Sequence, residues 1–291
     1  MLLIILGEQQ KIIVVSDLHG DLKKWNLIKQ NLSKNPNMKI IILGDATDRG
    51  KNGIEILLQI KELSDQGRIE YLPGNHDAFL YNYVKTKAKL DETEGRLSKS
   101  FETVMEIFER DLMHIEENGG EKTLEALEKF DKIVDDEIKK GNIKEKISKE
   151  ELIDWLGVQP IQKKIKVGNT KYALAHAYFD EDLYNRAPDF CMQRGLSLEI
   201  NKRNNLFLNK YRTILWYREK ENKGIYAPVE FPQGCVMIVG HTPQKELTVS
   251  NFEENPFKPV IYIDTGDGKL TGWDLAEGKY EFKSKKDKDE R

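Results

Sequence analysis

Five histidines are spread over 291 residues, and four of them, His19, His76, His176 and His241, stand at or just beyond the ends of short apolar runs. The same places carry residues that bind or polarise oxygen. Asp17 precedes His19 by two positions, Gly44-Asp45 and Asp48-Arg49-Gly50 follow the next run, and Gly74-Asn75-His76-Asp77 follows the third. Carboxylate oxygen, amide oxygen and imidazole nitrogen together suit a divalent ion of intermediate hardness. An Asp and a His two apart on a strand extension point to the same side, so Asp17 and His19 can grip one ion together. Each piece alone has an ordinary explanation, because Asp-x-His arises by chance and Gly-Asn-His-Asp suits a tight turn. Their recurrence after one apolar run after another is not what unrelated turns produce.

The runs that must position these groups cover residues 11–15, 39–43 and 69–72, then 171–175, 236–239 and 260–263. Apolar without alternation and rich in Ile and Val, they predict strands buried on both faces. Residues 21–32 and 52–63 lie between the first three and carry a helical pattern, so the N-terminal third reads β-α-β-α-β. In an open α/β sheet the loops at the carboxyl ends of the strands shape ligand sites, which places the polar clusters on one edge. From 85 to 151 the composition changes: 33 of 67 residues are charged, 19 acidic and 14 basic. Phe101, Val104, Met105, Phe108, Leu112 and Ile115 recur every three or four residues, as do Leu127, Phe130, Val134 and Ile138. This predicts amphipathic helices broken at Asn118-Gly119-Gly120 and at Gly141, forming a helical cap inserted at 85–151 into a single domain spanning 1–291. Residues 180–210 are expected as loops with short helices over the site. The charged stretch 283–291 is expected to be disordered, and residues 1–6 read as an edge strand or a leader.

Composition excludes several classes. With 49 acidic against 46 basic residues the net charge is −3, so no basic field favours stable nucleic-acid or membrane binding. The two cysteines, Cys191 and Cys235, are too few for a disulfide framework and are not spaced as a zinc pair. They fit buried thiols in a reducing, cytoplasmic setting. No apolar run approaches the ~20 residues of a membrane span, and no export signal is read.

In fixed order, Asp17-Leu18-His19-Gly20-Asp21, Gly44-Asp45-Ala46-Thr47-Asp48-Arg49-Gly50, Gly74-Asn75-His76-Asp77, the lone His176 in Leu-Ala-His-Ala, and Gly240-His241-Thr242 resemble the calcineurin-like metallophosphoesterase superfamily. Asp48-Arg49-Gly50 places the resemblance nearest its phosphoprotein phosphatase branch. Asn118-Gly119-Gly120-x-x-Thr123-Leu124 and Ile263-Asp264-Thr265-Gly266 resemble bacterial members. The resemblance implies an α/β fold with a central mixed β-sandwich flanked by helices, and two divalent metal ions, Mn first, with Fe or Zn as alternatives. It implies that Asp17, His19 and Asp45 hold one ion, and that Asp45, Asn75, His176 and His241 hold the second. A hydroxide shared by the ions then attacks phosphorus in line, without a phosphoenzyme. His76 protonates the leaving oxygen, Asp48 orients His76, and Arg49 clamps the phosphate with a second arginine. Arg218 is the candidate for that second clamp, ahead of Arg186 and Arg212.

The activity so implied is that of a Ser/Thr or dual-specificity protein phosphatase acting on a phosphoprotein or small phosphoester. The runner-up is a hydrolase of dinucleoside polyphosphates or another nucleotide or RNA-end phosphoester. The acidic excess of 85–151 favours substrates with basic flanks and so the first of these. Three departures, Pro73 before Gly74, Asp77 in place of Glu and Tyr178 after Ala177, loosen the tie to protein phosphatases without removing a metal ligand. Elsewhere ordinary readings prevail. His114, beside Glu116 and Glu117, is expected on a solvated helix face, Trp155 and Trp216 are expected in packing, and Gly119-Gly120 is expected as a helix break.

Overall fold

The computed structural model describes residues 10–92, 99–201, 205–217, 234–250, 260–266 and 270–282. Residues 1–6, Arg218 and 283–291, for which the sequence carried expectations, lie outside them. The described residues begin with β1 (Lys11–Ser16), α1 (Leu22–Lys34), β2 (Met38–Leu43), α2 (Gly53–Asp65) and β3 (Ile69–Leu72), the order that the apolar runs predict. Five helices follow: α3 (Asn75–Glu92), α4 (Lys99–Glu117), α5 (Glu121–Glu128), α6 (Phe130–Lys139) and α7 (Lys149–Gly157). Then come β4 (Gln162–Val167), β5 (Thr170–Ala175), α8 (Glu181–Arg186), α9 (Met192–Ile200) and α10 (Asn205–Trp216). The described residues end with β6 (Val236–Val239), β7 (Thr248–Ser250), β8 (Val260–Tyr262), β9 (Thr271–Asp274) and β10 (Gly278–Glu281).

Among the described residues two five-stranded mixed sheets result, in the orders β10-β9-β1-β2-β3 and β4-β5-β6-β8-β7. Both faces of the first sheet are covered, which is why its strands lack alternation. Ile12, Val14, Ile41 and Leu43 pack with Leu174, Ile238 and Ile261 of the second sheet. Ile13, Val15, Ile40 and Ile42 pack with Trp25, Ile28, Ile54 and Leu57 of the helices. The sheets therefore form a sandwich rather than one open sheet, and the ends of β1, β2 and β3 converge with those of β5 and β6 from the other layer. The strands that went unpredicted are short or polar. Lysine-rich β4 lies at a sheet edge, where such residues guard against unwanted pairing.

The helices of the acidic stretch share the core. Leu127, Phe130 and Val134 join the cluster around Ile54 and Leu57. A buried polar chain pins α6 there: Gln59 accepts from Trp25 Nε1 at 2.7 Å and donates to Glu137 at 2.6 Å. Residues 180–210, expected as loops with short helices, carry three helices, of which α10 is a full three turns.

The two sheets are joined at their edges by an ion triplet, in which Glu70 on β3 takes Lys39 of β2 and Lys163 of β4. Burial works to raise the Glu70 carboxyl, but the two ammonium groups outweigh it and hold it below its ordinary value of 4.5. Such a depressed carboxylate contributes stability above its unfolded pKa and loses it as pH falls through the folded one. We predict that Glu70→Gln lowers stability by about 1 kcal/mol at pH 7. Urea melts of variant and parent should converge as pH drops below the carboxylate range, and a gap independent of pH would contradict this role.

Candidate active site

Among the described residues every non-glycine residue with a positive φ belongs to the predicted site: Asp17 (53°), His19 (45°), Asp45 (56°), Asp48 (66°), Arg49 (58°) and His241 (61°). Left-handed backbone costs such residues of order 1–3 kcal/mol each and persists only where the surroundings over-determine it. For all of them except His241, which follows β6, the surroundings are two loops that continue the pairing of β1 with β2 beyond the strands. Asp17 N–H donates to Gly44 O at 3.2 Å, His19 N–H to Asp45 O at 2.8 Å, and Gly20 N–H to Ala46 O at 2.9 Å. Gly50 N–H returns to His19 O at 2.9 Å, and a Cβ on Gly50 would lie 2.4 Å from that oxygen. Asp17 and His19 are thus brought together by a left-handed loop, not by the alternation of a strand extension that the sequence suggested.

At the centre stands Asp45, whose carboxylate faces imidazoles. Its Oδ2 lies 3.3 Å from His176 Nε2, 3.8 Å from His19 Nε2 and 3.9 Å from His76 Nε2, while its Oδ1 accepts from His76 N–H at 3.1 Å. Two groups of donor atoms, His19-Asp45-His76 and Asp45-His176-His241, each lie within 4.8 Å of one another and share Asp45. Asp17 flanks them, with Oδ1 3.7 Å from His19 Nε2 and Oδ2 accepting from His241 N–H at 3.0 Å. Asn75 Oδ1 meets His176 Nε2 at 2.9 Å.

Carbonyl oxygens fix the tautomers, since a carbonyl only accepts. His19 Nδ1–H donates to Thr47 O at 3.0 Å and His176 Nδ1–H to Leu43 O at 2.7 Å, which turns Nε2 of both rings toward Asp45. Burial, helped by Asp264 and Asp45, pushes the Asp17 carboxyl up to about 7. Burial also raises Asp45, but His176, His76 and His19 together hold it well below the carboxylate range. Burial lowers His19 to about 3, whereas at His176 burial is outweighed by Asp45 and Asp17, which lift it to about 10. Buried carboxylates compete here for scarce positive charge, and converging nitrogen and oxygen donors fit divalent cations of the first transition row.

A second arrangement flanks the first. His76 Nδ1 lies 2.7 Å from Asp48 Oδ2. Burial would lower His76, but Asp45 and Asp48 raise it above its ordinary value. Asp48 is itself gripped by Thr123 of α5, whose hydroxyl donates to Oδ1 at 2.7 Å and lies 3.0 Å from the Asp48 N–H. Gly119-Gly120 therefore does more than break a helix. Gly119 O takes Arg49 N–H at 2.8 Å, and a Cβ on Gly120 would press to 2.9 Å from Asp48 Oδ1. Asp77 caps the opposite side, its Oδ2 accepting from Asp45 N–H, Gly74 N–H and Tyr71 O–H at 2.7–2.8 Å.

Of the candidate clamps, Arg49 is exposed beside Asp48, Arg186 is turned to Asp182 at 2.8 Å, and Arg212 is held by Glu199 at 2.9 Å. His114 contradicts the surface expectation. It is half-buried and stacks on Phe79 with ring centroids 4.7 Å apart, while Glu116 and Glu117 point outward. Trp155 stacks on Tyr71 at 6.1 Å, and Trp216 lies against Phe79, His114 and His241. Sequence reasoning also passed over Lys24, buried on the inward face of α1, whose ammonium donates to Asp17 O at 2.9 Å and Gly266 O at 2.8 Å. A lysine on the helix face that carries Trp25, Ile28, Asn31 and Leu32 was the available signal.

Comparison with known proteins sets this geometry in context. Over 127 residues the chain is 29% identical to the bis(5'-nucleosyl)-tetraphosphatase PrpE (asymmetrical) of Bacillus subtilis (strain 168), covering 35% of this chain and 52% of that protein. The chain thus spans about half the length of this relative. Among solved structures, a protein serine/threonine phosphatase from Saccharomyces cerevisiae aligns with a TM-score of 0.36 and 12% identity, over 88% of this chain and 67% of that one. Yfce, a phosphoesterase from E. coli, aligns with a TM-score of 0.35 and 12% identity, over 91% and 88%. The sequence model of the calcineurin-like phosphoesterases matches residues 10–262, and the chain belongs to that family.

Proposed function

We propose that this phosphoesterase hydrolyses dinucleoside polyphosphates at a two-metal centre, with Asp17, His19 and Asp45 at one ion and Asp45, Asn75, His176 and His241 at the other. Asp45 carries the proposal, since one buried carboxylate shared by two donor groups is what a pair of dications needs. Bound there, two ions supply a water acidified toward a pKa of ~7 and polarise the phosphoryl oxygens. The chain's own residues do the rest. Leu43 and Thr47 carbonyls hold two ligand rings in one tautomer, Asp48 holds His76, and His76 Nε2 delivers a proton to the leaving oxygen. Arg49, free to reach outward beside Asp48, binds phosphate oxygens in bidentate fashion.

The substrate class is supported by the Bacillus relative and by a cavity of about 570 Å³ that reaches His241, a volume within the range of small-ligand sites. This reading now stands ahead of the protein phosphatase, which Asp48-Arg49-Gly50 keeps as the second. A panel of a dinucleoside tetraphosphate and phosphoserine peptides with basic flanks separates them. The dinucleotide should show the higher kcat/KM at low and high salt, and the reverse order would restore the protein phosphatase.

Two further outcomes are expected. A chelator should abolish activity and Mn²⁺ should be among the ions that restore it, whereas full activity in metal-stripped protein would end the two-metal reading. Thr123→Val removes a hydroxyl from Asp48 and should lower kcat about tenfold, the kinetic equivalent of one charged hydrogen bond. KM and bound metal should stay at parent levels, and Thr123→Ser should recover the rate. A loss of metal rather than of kcat would show that Thr123 serves the ligands instead of the acid.

A further inference from the structure

We propose that the cavity beside the metal ligands is a nucleobase subsite, in which a base of the substrate stacks on His114 and Trp216 and its polar edge meets Arg212 and Glu199. The proposal deepens the dinucleotide reading and rests on it. Three rings from three helices form one wall. Phe79 of α3 is buried at the back, His114 of α4 lies parallel to it at 4.7 Å with 14° between planes, and Trp216 of α10 adds a third ring 4.8 Å from Phe79. All three rings line the cavity, and His114 and Trp216 are only half-buried, where rings that served packing alone would be closed over.

The wall also leads to the chemistry. Trp216 stands edge-on to His241 with centroids 6.0 Å apart, and Phe79 stands 6.5 Å from His76, the proposed acid. A group stacked on this wall therefore hangs beside the metal ligands, as a base hangs beside its phosphate across a ribose. Further along the same cavity Glu199 is buried and receives Arg110 at 3.2 Å and Arg212 at 2.9 Å. Fixed donors and a fixed carboxylate acceptor near a stacking face match the mixed donor and acceptor edge of a base. A phenyl phosphate or phosphotyrosine ring has no such edge, and this favours a nucleotide over an aromatic phosphopeptide.

The test compares a dinucleoside tetraphosphate with inorganic tripolyphosphate, which lacks a base, and measures AMP binding by calorimetry in the metal-loaded enzyme. Trp216→Ala should raise KM for the dinucleotide about tenfold, the scale of one lost base–aromatic stack. The loss in kcat/KM should be several-fold larger for the dinucleotide than for tripolyphosphate, AMP should bind correspondingly more weakly, and Trp216→Phe should recover most of the effect. His114→Ala should act in the same direction and serves as the second variant if Trp216→Ala unfolds in thermal melts. Equal losses on both substrates, or unchanged AMP affinity, would overturn the subsite while leaving the dinucleotide reading intact. A selective loss on a phosphotyrosine peptide would likewise overturn it. A parent that ignores the dinucleotide would sink the functional reading instead, and AMP affinity in the variants would then decide the subsite alone.

Discussion

Four carboxylates, Asp17, Asp45, Asp48 and Asp77, are buried where the ends of two sheets meet, and like charges cannot gather in such a place unless each finds compensation. The surrounding architecture answers that demand one carboxylate at a time. Asp77 has three donors, two of them backbone amides, and so braces the turn that presents Asn75 and His76. Asp48 is satisfied by Thr123 and His76 together, which ties a helix remote in sequence to the proposed acid. Asp17 and Asp45 are left facing imidazoles, which hold Asp45 low while burial and its acidic neighbours still push Asp17 up to about 7. The metal requirement is thus the remainder of an electrostatic sum that the protein alone does not balance.

Strain is distributed by the same logic. Except for His241, after β6, the residues with left-handed backbone lie in loops whose amides and carbonyls prolong the pairing of β1 with β2, so most of the site is held by main-chain bonds before any side chain contributes. Gly20 and Gly50 let the two loops touch backbone to backbone, and a methyl on either would force them apart. The donor groups on these loops are thus fixed relative to one another by main-chain bonds.

Much of this was legible from spacing. Apolar runs ending in Asp, Asn and His gave away the strands of the first sheet and the ligand-bearing turns, because burial on both faces removes polar residues everywhere except at strand ends. The sandwich entered through the family resemblance, since periodicity does not say that β5 and β6 belong to a second layer. His114 misled because its neighbours Glu116 and Glu117 are solvated, yet at 100° per residue Glu116 lies on the far side of the helix from His114, and Glu117 is the last residue of α4. Thr123 was visible as part of a motif, but its bond to Asp48 spans 75 positions and only the packing of α5 creates it.

The order of strands also bears on how this chain is made. β1 lies inside the first sheet, between β2, which follows shortly in sequence, and β9, whose pairing runs Ile13↔Asp274 and Val14↔Trp273. One edge of β1 therefore stays open from its synthesis at residue 16 until residue 271 is made, an interval of roughly ten to fifty seconds at common translation rates. During that time a strand of Ile and Val offers unpaired amides to any neighbour. The carbonyl of Gly266 that anchors Lys24 beneath Asp17 arrives equally late. The ligand loops of a nascent chain are thus synthesised first and secured last, which makes the ribosome-bound intermediate, rather than the finished enzyme, the form in most need of a chaperone's cover.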